Sequence, residues 1–152
     1  MFKSAIVIAA FAALPFAFFA TPVTAAEVAT VIGASEIMFG PADPAHPDAG
    51  EEIAVLAGDP AKPSPFVARM RVKAGTMVPT HKHSMPEYVS VLSGKALMSF
   101  GEKPDKSKAV TLTAGSFMYM PGGQYHTLWV EEDAVADLFG MGPFDEILAE
   151  AQ

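Results

Sequence analysis

From Ile53 onwards this chain is a succession of short runs of β-branched, aromatic and aliphatic residues, most of them cut by a turn signal after eight to twelve positions. The runs read "IAVLAGDP", "FVARMRVKAG", "EYVSVLSGK", "ALMSFGEKPDKS", "AVTLTAG", "FMYMPGG", "HTLWVEED" and "AVADLFGMG". Strands separated by Gly and Pro turns at that spacing make an all-β sandwich or barrel. Only the terminal "PFDEILAEAQ" reads as helical, a short C-terminal turn. No segment repeats, so the strands belong to one barrel.

A chain of 152 residues, half of them apolar, suits one globular unit whose core needs no covalent staples. It contains no cysteine, which removes disulfides, thiolate ligands and a catalytic thiol together. With 17 acidic against 10 basic residues the chain repels phosphate backbones, which excludes nucleic acid as a partner.

Residues 1–26 differ from the rest. Lys3 precedes an apolar run over 5–20, and small residues follow in "TPVTAAE". The run is shorter than the ~20 residues a membrane span needs and is interrupted by Pro15, so a cleavable signal peptide is expected rather than an anchor. Cleavage after Ala25 or Ala26 would send the mature chain to the periplasm or outside, with no further membrane association. Residues 27–50 form an N-terminal segment and loop, ending in the Pro-rich "GPADPAHPDAG", and residues 51–152 form the barrel domain.

Chemistry concentrates in "GTMVPTHKHSMPEYVSVLSG". In an extended chain His81 and His83 share a face, and Lys82 points the other way. Pro86 marks a turn or strand start that can fold Glu87 back towards the imidazoles. His126 follows the tight reversal Pro121-Gly122-Gly123 and is the fourth candidate ligand. Three imidazoles and one carboxylate suit one divalent transition metal ion, Fe, Mn, Ni, Co, Cu or Zn, with room left for water or substrate. The remaining histidine, His46, lies in the Pro-rich loop and is expected to carry no chemistry.

These residues resemble the cupin superfamily. Its first motif, Gly, five residues, His-x-His, three or four residues, Glu, six residues, Gly, is met by Gly75, His81, His83, Glu87 and Gly94. Its second, Gly, five residues, Pro-x-Gly, two residues, His, three residues, Asn, is met by Gly115, Pro121, Gly123 and His126, with Val130 standing where the pattern has Asn. The resemblance implies a double-stranded β-helix, or jelly-roll barrel, of six to eight strands with one metal near its open mouth. It is closest to small exported single-domain cupins, and it implies a homodimer.

Inward alternation from Glu87 and His126 places Val89, Val91, Gln124 and Leu128 in the interior, and the "ALMSF" strand offers Met98 and Phe100. The expected substrate pocket is therefore Val89, Met98, Phe100, Gln124 and Leu128, apolar apart from Gln124 and a tyrosine, Tyr119 or Tyr125. No dedicated second acid or base is legible, so the metal itself must carry any chemistry. The reading is an exported metal-dependent enzyme of dioxygenase, isomerase or decarboxylase type, acting on a small oxygen-rich molecule. The alternatives are a non-catalytic metal- or ligand-binding module and a purely structural barrel.

Overall fold

The computed structural model describes residues 29–150, so the expected signal peptide lies outside the described residues. Of the compact unit Met1–Val31 only residues 29–31 are described, and they carry no strand or helix. Among the described residues of the unit Ile32–Gln152, nine strands form one curled antiparallel sheet. They are β1 (Gly40–Pro41), β2 (Glu51–Ala57), β3 (Pro65–Val72), β4 (Met77–Lys82), β5 (Glu87–Phe100), β6 (Val110–Thr113), β7 (Phe117–Met120), β8 (His126–Met141) and β9 (Ile147–Leu148). This is the all-β barrel that the turn spacing predicts and the jelly roll that the resemblance implies.

Two long strands organise the sheet. β5 and β8 pair along almost their whole length, from Glu87↔Gly140 to Phe100↔His126. The first half of β8 also carries β4, and its second half carries β3, which carries β2 and β1 in turn. β5 divides in the same way between β7 and β6.

The sequence spacing breaks each long strand in two, at "SGK" and at "EED", and the structure keeps both whole. The register instead shifts at Val91/Ser93, Ser93/Lys95 and Lys95/Ala96. Gly94, at φ +84°, sits so close to its partner strand that a Cβ would lie 2.3 Å from the Asp133 carbonyl oxygen. A side chain there would collide, so glycine lets β5 bend against β8 without ending it. These bends curl a flat ladder into a barrel.

Three clusters fill the interior: Phe66, Ala68 and Leu138; Val72, Ala96 and Val130; and Met98, Met118 and Met120. Val130, the departure from the family pattern, is buried in the second and exchanges backbone hydrogen bonds with Gly75 and Thr76. Its place is therefore filled by packing rather than by a side-chain amide. On the flank, Arg69 and Asp137 are cross-strand partners joined by two hydrogen bonds of 2.6 and 2.8 Å.

The C-terminal expectation is corrected. The described residues after Met141 form no helix; Ile147 and Leu148 pair with Lys82 and His81 as β9. Helix propensity in a short polar segment is weak, and the open edge of β4 offers backbone partners that outweigh it. The segment consequently lies alongside the histidine pair.

Candidate metal centre

His81 in β4 and His126 at the start of β8 are direct cross-strand partners, which sets their rings 4.1 Å apart between centroids. His83 follows the end of β4, with its ring 4.9 Å from that of His81. Its loop is held by the Pro121-Gly122-Gly123 turn. Gly123 N–H donates to the His83 carbonyl at 2.8 Å, and a Cβ on Gly122 would lie 2.4 Å from the Ser84 carbonyl oxygen. Glu87 opens β5 and faces two of the imidazoles, with Oε2 3.6 Å from His83 Nε2 and Oε1 3.6 Å from His126 Nε2. All four residues are buried, at 3 to 8 % exposure.

The tautomers follow from the partners. His81 Nδ1 is 2.7 Å from the Pro79 carbonyl oxygen, His126 Nδ1 is 3.2 Å from that of Gln124, and His83 Nδ1 meets that of Asp145. A carbonyl only accepts, so each neutral ring carries its proton on Nδ1 and turns an Nε2 lone pair inward. Burial favours those neutral rings: it pulls His83 below the usual histidine range and, with the neighbouring His81, takes His126 down to about 4. Glu87 moves the other way, raised to about 7 by burial and then by the charge of Glu146.

This donor set fits a metal. Each histidine offers one nitrogen, and the three lie within 4.8 Å of one another. Ligands about 2.1 Å from a common ion stand roughly 3 to 4.2 Å apart, so small movements would close the set, with Glu87 beside it. One carboxylate and three imidazoles match a borderline divalent ion.

The sequence model of the family described as Cupin domain matches residues 68–140, the stretch that holds all four of these side chains. This stretch is a cupin domain. Among solved structures the chain resembles the polyketide cyclase RemF from Streptomyces resistomycificus, with a TM-score of 0.65 at 12% identity over 82% of this chain and 88% of that one. It also resembles a sugar phosphate isomerase from a cupin superfamily of Silicibacter pomeroyi, with a TM-score of 0.62 at 16% identity over 80% and 83%. A mutant of salicylate 1,2-dioxygenase from Pseudoaminobacter salicylatoxidans, solved in complex with gentisate, matches at TM-score 0.57 and 15% identity over 74% of this chain and 31% of that one. No curated protein sequence matches this chain.

A cavity of about 280 Å³ opens onto the four residues. Of the expected pocket residues, Val89, Met98 and Leu128 line it, as does Val91. Phe100 does not. It is 49 % exposed, because it is the last residue of β5 and lies beyond the stretch from Lys95 to Met98 that β6 pairs. Gln124 also stays out of the lining, its amide donating to the Tyr125 carbonyl oxygen at 3.1 Å. Tyr119 stands on the outer face, 54 % exposed, and the Lys82 ammonium lies 4.3 Å from the Tyr125 ring. His46 is exposed and pairs with Asp43 at 2.6 Å.

Sequence reasoning missed the C-terminal wall. Phe144 stacks on His83 with ring centroids 4.2 Å apart, the Asp145 carboxylate accepts from Ser84 N–H and Oγ–H, and Glu146 lines the cavity. Glu51, at the start of β2, lines it too. No local pattern marks these residues, since their partners lie far away in the chain.

Proposed function

We propose that this cupin domain holds one divalent transition metal through His81, His83, Glu87 and His126 and acts with it on a small oxygen-bearing molecule in the adjoining cavity. The carrying observation is the convergence of three Nε2 lone pairs, each fixed by a backbone carbonyl, on a largely apolar cavity. When bound, the ion would supply positive charge to polarise a carbonyl or enolate oxygen, activate water or support chemistry on O₂.

The chain's own residues supply the setting. Glu87 offsets one positive charge, the Nδ1–H bonds hold the imidazoles in orientation, and Phe144 covers the His83 ring. The apolar wall of Val89, Met98 and Leu128 keeps water away and strengthens electrostatic contacts inside. The solved relatives include a dioxygenase and an isomerase, which supports chemistry of those types, with decarboxylation as a third. The same apolar wall also supports a second reading, a non-catalytic metal- or ligand-binding module, since those three side chains offer no group that transfers a proton.

Elemental analysis of the protein purified from its own cells tests the metal. One transition metal ion per chain, lost in His81→Ala, is expected; metal-free protein whose melting temperature ignores every added ion sinks the proposal. Water relaxing at open coordination positions would separate an enzyme from a carrier with a closed shell.

The proposed place of action is the periplasm or outside, on the strength of residues 1–26, and mature protein beginning near Glu27 would bear this out. The reading also includes a homodimer, supported by the outer aromatic group Tyr88, Phe117 and Tyr119. A monomeric sedimentation coefficient at micromolar concentration would remove that part.

A further inference from the structure

We infer that the cavity selects by charge, taking a neutral or cationic small molecule that chelates the metal through oxygen and presents a hydrogen-bond donor to Glu51 and Glu146, and rejecting anions. This inference rests on the metal-centred reading above and adds the class of ligand.

Outside the ligand set, the cavity is lined by only four hydrogen-bonding side chains among the described residues: Glu51, Lys95, Asp145 and Glu146. Two are committed elsewhere. Both Asp145 carboxylate oxygens accept from Ser84, and the Lys95 ammonium is held by Glu131 at 3.0 Å. The side chains of Glu51 and Glu146 have no hydrogen-bond or ion-pair partner among the described residues. Glu51 is half-buried and Glu146 exposed, so they stand where the cavity meets solvent. They lie near enough for the charge of Glu146 to reinforce the effect of burial in raising the Glu51 carboxyl above its ordinary range.

Anion recognition would need cations, and the cavity has none to spare. The chain's two arginines are spent outside the lining, Arg69 on Asp137 and Arg71 on Glu52. A divalent ion with Glu87 leaves one positive charge, which Glu51 and Glu146 together exceed. A carboxylate or phosphate entering this space would meet uncompensated negative charge, whereas a hydroxyl, amide or ammonium group would find acceptors waiting.

The test uses the full mature protein carrying its metal, at pH 8 and low salt, with three catechols that share one chelating head. They are dopamine with an ammonium tail, 4-ethylcatechol with a neutral tail and 3,4-dihydroxyphenylpropionate with a carboxylate tail, each titrated calorimetrically. The ammonium compound is expected to bind at least about tenfold more tightly than the carboxylate, with the neutral one between. The double variant Glu51→Gln, Glu146→Gln, checked for unchanged metal content and circular dichroism, should bring all three within about twofold while leaving the neutral compound where it was. Equal or tighter binding of the carboxylate, or a spread that survives the double variant, overturns the charge preference. If metal is present and none of the three binds, the preference is overturned while the metal site stands. If the protein holds no metal under any condition, the metal-centred reading fails and takes this inference with it.

Discussion

The ring of His83 donates its Nδ1–H to the backbone carbonyl of Asp145, which lies 62 positions further along the chain. The Asp145 side chain in turn accepts from Ser84 N–H at 2.8 Å and Ser84 Oγ–H at 2.6 Å. One residue thus orients a ligand through its backbone and anchors the loop carrying that ligand through its carboxylate. Asp145→Ala keeps that carbonyl but removes the carboxylate that anchors Ser84, and the loosened loop should weaken metal binding by up to about tenfold. A competition titration against a fluorescent chelator measures it, and an affinity equal to that of the parent would show that the anchor does not matter.

Metal uptake should release a proton in a window set by Glu87. Because the Glu87 carboxyl is raised to about 7, most chains carry a proton there at pH 6 and few do at pH 8, whereas the His126 ring stays neutral until about 4. Affinity is therefore expected to climb between pH 6 and 8 and then level off, a window above the ordinary histidine range near 6.5. Calorimetry in buffers of different ionisation enthalpy counts the protons; the parent should release about one more than Glu87→Gln at pH 6 and about the same number at pH 8.5. Glu87→Gln should remove that dependence along with much of the affinity.

The stability of the metal-free protein carries two opposing pH terms. Glu87 binds its proton more tightly folded than unfolded, so its contribution is present below pH 4.5 and is lost as pH rises to 7, by roughly 3 kcal/mol. His126 binds its proton less tightly folded than unfolded, so its contribution is present above 6.5 and is lost as pH falls to about 4. Between pH 4.5 and 6.5 the two slopes oppose each other. Urea unfolding of Glu87→Gln without metal should show stability rising with pH across that window, and His126→Gln should show it falling. Parallel curves for both variants would contradict the assignment.

Gly94→Ala should destabilise the barrel by about 2 to 4 kcal/mol, because a methyl group there meets the Asp133 carbonyl at 2.3 Å in a backbone conformation that L-residues avoid. The neighbouring Lys95→Ala, whose ion pair with Glu131 is partly solvated, should cost less than about 1 kcal/mol. Chemical denaturation of both variants compares them directly. Similar losses would mean that the strand relaxes away from its partner at Gly94.

Much of this protein was legible in the chain itself. Turn residues at regular spacing dictate an all-β barrel because Gly and Pro interrupt a ladder wherever they fall, and the alternation of a strand puts His81 and His83 on one face with no help from the rest of the molecule. The four candidate ligand positions were readable because their spacing is a local property of two strand-turn segments. Tertiary structure decided what depends on distant partners. It joined "EYVSVLSGK" to "ALMSF" across Gly94, left Phe100 exposed at the end of β5, and drew Ile147 and Leu148 into β9 because an open strand edge outcompeted a weak helix. It also placed Asp145 and Phe144 against His83 and brought Glu51 and Glu146 to one cavity. Local rules set what each segment can be. Which segments meet is settled by backbone pairing and burial summed over the whole barrel, and no short stretch of sequence contains that sum.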